Sequence, residues 1–304
     1  MRETADDAMV TYRYVRVGLV ALVVFLLASL VLTATRTCLQ GSISAFFFTR
    51  THAVFVAALC AIGVCLIAYQ GSRNAEDSLL NFSGFMAFVV ALIPTGTDGV
   101  CKPWLPSVAD PLGGVANNIT ALFVAAAAGI ALYLALSRWR PPQPEPTAED
   151  DECATAAALW KWLAKALLKT ESWLPKALFV ITVIGALALF SDWFMARAHA
   201  FAAVGMFLAI TMVAVYHACY ARAAGRQQRA RFYAVIAVLM LATVVLAVVL
   251  LVKHVQFGLL LVELLLIGEF ALFWAVQTWD VWEPRDKYPP EAVPALANTP
   301  QPAR

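Results

Sequence analysis

Charge is scarce in this chain. Lys, Arg, Asp and Glu make up 14% of its 304 residues, where a soluble domain carries about 25%. That scarcity excludes an ordinary cytosolic enzyme and a disordered protein. The same gap excludes a nucleic-acid binder, while the net charge of +2, from 22 Lys and Arg against 20 Asp and Glu, says little by itself. Histidine occurs four times, and H-E-x-x-H, H-x-x-x-H and C-x-x-C are all missing. Local metal-site spacing is therefore absent. The sequence also lacks G-x-x-x-x-G-K-[ST], G-x-G-x-x-G and G-x-S-x-G, which excludes a phosphate-cradling loop, a dinucleotide fingerprint and a nucleophile elbow.

What the chain has in excess is apolar residues, at 62%. Eight stretches are near the roughly 20 residues a membrane-spanning helix needs, over 17–35, 53–69, 79–95, 118–137, 176–194, 199–219, 233–252 and 258–279. They predict an all-α polytopic membrane bundle of eight transmembrane helices. An acidic start (Glu3, Asp6, Asp7) and no small-residue cleavage site argue against a cleaved leader at 17–35. With both termini cytoplasmic, 17 of the 22 Lys and Arg fall inside and five outside, the bias expected of cytoplasmic segments. Cys38 and Cys101 then both lie outside, where a disulfide between them can persist; the alternative is two unpaired thiols at separate helix ends. Cys60, Cys65 and Cys219 read as small buried apolar residues and Cys153 falls in an inside loop.

The chain divides into a first four-helix half at 1–140, a cytoplasmic linker at 141–175, a second half at 176–283 and a disordered tail at 284–304. The N-terminal 1–16 reads as short and polar, and the outer loop 96–117, rich in Gly, Pro and Asp, reads as irregular. Asp77 or Ser78 is expected to cap the third span, with Asn81 in reach of Asp77. Within the linker, Lys161, Lys165 and Lys169 recur every four residues, with Leu159, Leu163 and Leu167 on another face beside Trp160 and Trp162. That pattern predicts a helix lying in the headgroup plane or, alternatively, a connector packed on the bundle.

A repeat underlies the two halves. Residues 44–53 read S-A-F-F-F-T-R-T-H-A and residues 191–200 read S-D-W-F-M-A-R-A-H-A. The shared S-x-[FW]-F-x-x-R-x-H-A pairs Ser44 with Ser191, Arg50 with Arg197 and His52 with His199 at an offset of 147 residues. Tyr69 and Tyr216 each follow 17 residues after their histidine. A tandem four-plus-four duplication follows, its halves related by a pseudo-two-fold along the membrane normal.

Several uses of these residues are open. Arg50, Arg197 and the aromatics around them can simply anchor the helix starts at the headgroups, with Arg197 paired to Asp192. As a ligand site, Arg50 and Arg197 would hold an anionic group in bidentate geometry, with Ser44 and Ser191 adding hydrogen bonds. Asp192, His52, His199 and His254 lie in the same leaflet, and Glu263 and Glu269 supply carboxyl groups within the last span. A protein binding, sensing or transporting an anionic or lipidic ligand at the outer face would result, with membrane lipids as its surroundings. As a metal or haem site, His52, His199 and His254 would be the ligands. An accessory role beside a partner subunit is the third reading.

The stretches S-I-S-A-F-F-F-T at 42–49, E-D-S-L-L-N at 76–81 and F-W-A-V-Q-T-W-D at 273–280 resemble a group of bacterial multi-pass integral membrane proteins. The resemblance covers most of the chain. It implies a bacterial plasma membrane and carries no assigned activity or cofactor. The paired H-x-x-x-H in a late span that marks the seven-span hydrolases of the alkaline-ceramidase and progestin-receptor-like group is missing here, which argues against a shared zinc hydrolase mechanism.

Overall fold

Leu, Val and Ala dominate the apolar stretches, and in hydrocarbon only a helix satisfies every backbone N–H and C=O within one segment. The computed structural model describes residues 2–94, 100–103, 111–137, 166–167, 169–170, 172–188, 191–223 and 225–280. Among these, the regular structure is entirely helical. The helices whose bounds lie within the described residues are, in chain order, α1 Arg2–Arg36, α2 His52–Ala68, α3 Asn74–Leu92, α4 Pro111–Ser137, α5 Leu174–Ala188, the short α6 Asp192–Met195, α7 Ala198–Ala223, α8 Gln227–Val252 and α9 Gly258–Asp280. A 3-10 turn, Ser44–Phe48, precedes α2. Among the described residues, five helices are long and apolar enough to cross a membrane: α1 from Val10, α3, α7 to Arg222, α8 and α9. The apolar helices His52–Ala68, Asn117–Ala131 and Leu174–Ala188 are shorter. This is a helical membrane protein.

Helices α1, α2, α3, α7, α8 and α9 pack each on the next, and α9 closes back on α1. Helices α4 and α5 lean chiefly on α3. Helix α3 packs along α7, and α2 has no comparable contact with α8. Val23, Leu26, Phe55, Ile210 and Phe270 are almost completely buried within this ring. Val235, Val238, Leu241, Val245 and Val248 on α8 point out of it and are exposed, as lipid-facing side chains must be.

Two glycines lie where α2 and α3 come together. A Cβ on Gly63 would lie 2.8 Å from the Gly84 carbonyl oxygen, and one on Gly84 would lie 2.6 Å from that of Gly63. Bare backbone at both positions lets α2 and α3 meet, the small-residue packing common between membrane helices.

Several local expectations change. The polar start is helical from Arg2, and α4 begins at Pro111, inside the stretch read as an irregular outer loop. The α2–α3 turn is tied by two carboxylates of the first turn of α3. Asp77 accepts the Gly71 N–H at 3.2 Å, and Glu76 accepts the Ser72 N–H at 3.0 Å. Asp77 also accepts from Asn81 at 3.1 Å. Ser78 donates to the Asn74 carbonyl instead of capping. Of the linker, Lys161 and Lys165 lie outside the described residues, as does the tail 284–304. The end that is described docks on the bundle, where Leu167 is buried and the Thr170 and Tyr216 hydroxyls are 2.8 Å apart.

The α8–α9 turn settles the role of His254. Its N–H donates to Leu251 and that of Val255 to Leu250, the paired bonds of a Schellman motif. His254 occupies the left-handed position at φ +51°, where glycine is favoured, and its side chain is exposed. His254→Gly is expected to stabilise the protein by about 0.5–1 kcal/mol, because a side chain in that conformation costs about 1–2 kcal/mol and glycine's greater chain entropy returns part of it. A rise of a few degrees in the thermal midpoint in detergent checks this, and an unchanged or lower midpoint contradicts it.

Candidate functional site

The chain between α1 and α2 does not leave the bundle. Gln40, Ser42, Ile43, Ser44, Phe46, Thr49 and Thr51 are all buried, so residues 38–51 form a plug in one end of the ring. Irregular backbone at such depth is tolerated only when protein satisfies its polar groups. Here the Ala45 N–H goes to Ser42 Oγ at 3.0 Å and Phe46 N–H to the Ile43 carbonyl at 3.0 Å. The Gly41 carbonyl accepts from Leu260 of α9 at 3.0 Å. Thr51 Oγ1 lies 2.8 Å from Thr33 Oγ1 of α1. A disulfide joins Cys38 to Cys101, with Cα atoms 6.3 Å apart. Beside it the Gln40 amide makes two reciprocal bonds to the Cys101 backbone, at 2.8 and 2.9 Å.

At the centre of the plug Ser44, His199 and Glu263 meet from three separate segments. Ser44 Oγ is 2.7 Å from His199 Nε2 and 3.2 Å from Glu263 Oε1. The other Glu263 oxygen accepts the Ile43 N–H. His199 Nδ1 lies 2.6 Å from the Ile93 carbonyl at the end of α3. An acceptor there holds the proton on Nδ1, so a neutral His199 presents a lone pair to Ser44. Ser44 has one proton. If it goes to His199, Glu263 must be the acid and donate to Ser44. If His199 is charged, Ser44 turns its proton to Glu263. The three side chains form a proton-sharing chain with two arrangements.

The other expected site residues are dispersed. His52 is half-buried, with Nδ1 2.8 Å from the Phe47 carbonyl and its ring edge-on to Phe47 at 4.3 Å. Arg50 and Ser191 are exposed. Arg197 is exposed, bonds the Trp193 carbonyl at 3.1 Å and lies over the Trp193 ring at 4.5 Å. The structure describes Asp192 only as the first residue of α6. Glu269 faces α8, accepting from Thr243 at 2.8 Å. Thus Ser44 of the first motif copy pairs with His199 of the second, while Ser191 and His52 do not meet. His52, His199 and His254 do not converge, and among the described residues no group of three His, Cys, Asp or Glu is placed to hold a metal.

A second polar cluster, not expected from the sequence, occupies the opposite end of the ring. Glu76 is fully buried, and its Oε1 is 2.9 Å from His217 Nε2. Gln277 Nε2 is 3.0 Å from the same nitrogen and 3.2 Å from the Tyr69 hydroxyl. Arg16, also fully buried, hydrogen-bonds Tyr69. Tyr233 donates to Asp280 at 3.0 Å, and Asp280 pairs with Arg229 at 2.6 Å and Arg226 at 3.3 Å. Every ring helix contributes: Arg16 from α1, Tyr69 from the end of α2, Glu76 from α3, His217 from α7, Tyr233 from α8, and Gln277 with Asp280 from α9. The one signal in the sequence is spacing. His199 and His217 are 18 residues apart, five turns of helix, so they share a face of α7 about 27 Å apart.

No protein-family model matches the chain, and no curated protein or solved structure shows a significant match to it.

Proposed function

We propose that this is a bacterial plasma-membrane protein of eight transmembrane helices in two tandem four-helix halves, and that it binds, senses or transports a lipidic ligand at its outer face. The three shorter apolar helices add to the five long ones to make eight. In both motif copies a short helical turn leads into a long helix beginning within a residue of the histidine, which supports a duplication whose halves have since diverged in packing. The plug end is assigned to the outside because it holds the disulfide. The cationic Arg73, Arg222, Arg226 and Arg229 gather at the other end, as cytoplasmic ends do.

The observation that carries the function is the buried contact of Ser44, His199 and Glu263. Ionisable groups inside a membrane bundle are functional by default, and here they bind the plug to α7 and α9. Moving the plug breaks these bonds, and a ligand headgroup with a hydroxyl, amide or acid group replaces them. The ligand is lipidic rather than a free anion, because Arg50 is exposed and Arg197 is engaged with Trp193, so no paired guanidinium clamp is assembled.

The test is lipid analysis of protein purified in mild detergent. One lipid class is expected to remain bound at near-stoichiometric amount, to fall about tenfold in Ser44→Ala (about 1.4 kcal/mol) and to be unchanged in Arg50→Ala/Arg197→Ala. Loss in the arginine variant alone would restore the anion site. No retained lipid in any sample would point to an accessory subunit.

One observation favours a second reading. The 2.7 Å Ser44–His199 contact, with His199 oriented by a third group, is the arrangement of an activated nucleophile. Ser44 would attack an ester carbonyl while His199 takes its proton and returns it to the leaving alcohol. Labelling of Ser44 by a fluorophosphonate, absent in His199→Ala, distinguishes it.

A further inference from the structure

The cluster at the cytoplasmic end poses a hydrogen-counting problem that its geometry answers. His217 Nε2 has either one proton or one lone pair, yet two partners stand at 2.9 and 3.0 Å from it. If Nε2 carries a proton, it donates to Glu76, and the Gln277 N–H beside it has no acceptor. Gln277 must then turn its amide, bringing its carbonyl oxygen to His217. That oxygen is otherwise buried without a partner, and amide orientation follows the hydrogen-bond network. If Nε2 instead offers its lone pair to Gln277, Glu76 must hold its own proton or face the nitrogen uncompensated. The position of one proton therefore selects the orientation of one amide.

The amide is not a bystander. Gln277 also bonds the Tyr69 hydroxyl, and Tyr69 bonds Arg16. Because the same amide nitrogen meets both His217 and Tyr69, turning the amide reverses both bonds: the oxygen then accepts from His217 and from the Tyr69 hydroxyl, which changes the donor in the link from α3 and α7 to α9, α2 and α1. The groups facing the pair are Arg16 from α1, Tyr69 from α2, Tyr220 on α7, Tyr233 from α8 and Asp280 from α9, with Arg73 of the α3 start stacked beyond Tyr220 at 5.7 Å. Asp280, Arg226 and Arg229 lead outward, since both arginines are more than a quarter exposed.

We propose that Glu76 and His217 form a proton-binding site at the cytoplasmic end of the ring, and that its occupancy, relayed through Gln277 and Tyr69, opens or closes that end, so that ligand movement is coupled to protons. The coupling rests on the transport reading above; the proton site does not. Val23, Leu26, Phe55, Ile210 and Phe270 separate this site from the plug, giving a membrane protein with a protonatable gate at each end.

The experiment uses the full chain in nanodiscs, with no ligand other than protons. Infrared difference spectra are taken as the pH is stepped between about 8 and 5, the range over which histidine changes charge. One buried acid C=O signal is expected to appear in a single step, to vanish in Glu76→Gln and to shift its midpoint by about one pH unit or more in His217→Gln. In parallel, maleimide labels the native Cys65 and Cys219, which lie one turn before Tyr69 and two residues after His217. Comparing wild type with Glu76→Gln at one pH cancels the thiol's own chemistry, and a severalfold difference in rate is expected. A static ion pair gives neither the titrating carboxyl signal nor a rate difference, and would overturn the proposal. If Glu76→Gln does not fold, titration of the wild type with and without His217→Gln still decides, because an unchanged midpoint or no carboxyl signal is the contrary result. Retained lipid with no proton signal would leave the binding function standing and remove the gate. A proton signal without retained lipid would do the reverse.

Discussion

Glu76→Ala is expected to lose about 3–5 kcal/mol of stability, the cost of removing one partner from a buried charged pair. The effect is large because truncation strands several groups at once. His217 loses its 2.9 Å partner and the Ser72 N–H at the α2–α3 turn loses its acceptor. Arg16, fully buried in the same node, loses one of the charges that act with it on Tyr69. Glu76→Gln tests the cause. It keeps an acceptor oxygen for the Ser72 N–H and turns its NH2 to the lone pair of a neutral His217 Nε2, so the charge is removed and the cost should stay near the value of one hydrogen bond, about 0.5–1.5 kcal/mol. The measurement is the fraction of monodisperse protein surviving a graded heat step in detergent. Equal survival of both variants with wild type would show that the node contributes no stability. Equal loss in both would show that charge, not hydrogen bonding, holds it.

How much of this was legible in the sequence depends on the range of the interaction. Helix, apolar span and the Asp77–Asn81 contact rest on neighbours one to four residues apart, and composition or periodicity reports them. Partners across the ring are set by which helices pack. Ser44 and His199 were each visible as candidates, yet the motif repeat suggested equivalent roles for like residues, whereas the structure pairs Ser44 of one copy with His199 of the other, 155 residues away. The arginines have the right chemistry for an anion clamp, but the plug turns inward and leaves Arg50 outside. Glu76 was hidden in an ordinary polar helix start, where a carboxylate is favoured by the backbone dipole alone. No neighbour in the sequence marks His217, because Glu76 lies 141 residues before it and Gln277 60 residues after. The paired histidines on one face of α7 were the available clue, and only the ring contacts give that face a meaning.

Breaking the disulfide is expected to have the second large effect. Cys38 and Cys101 are separated by 63 residues, and closing a loop of that length is worth about 4 kcal/mol in the chain-entropy description. The segment between them contains the apolar helices α2 and α3, which keep their local hydrogen bonds when tertiary contacts are lost, so the freedom regained is smaller and about 2–3 kcal/mol is the expected loss for Cys38→Ser/Cys101→Ser. The loss should be felt first at the plug, because Gln40 holds Cys101 through two hydrogen bonds beside the bridge. Adding Gln40→Ala removes that remaining tie, so the triple variant should lose lipid retention more than the double variant, while the Glu76 carboxyl signal at the far end of the ring stays as in wild type. Heat survival and lipid content measured on the same samples under non-oxidising conditions check both parts. If the double variant matches wild type in both, the plug is held by Ser44, His199 and Glu263 alone. If it loses the Glu76 signal as well, the two ends of the ring move as one body and the apolar layer between them transmits the change.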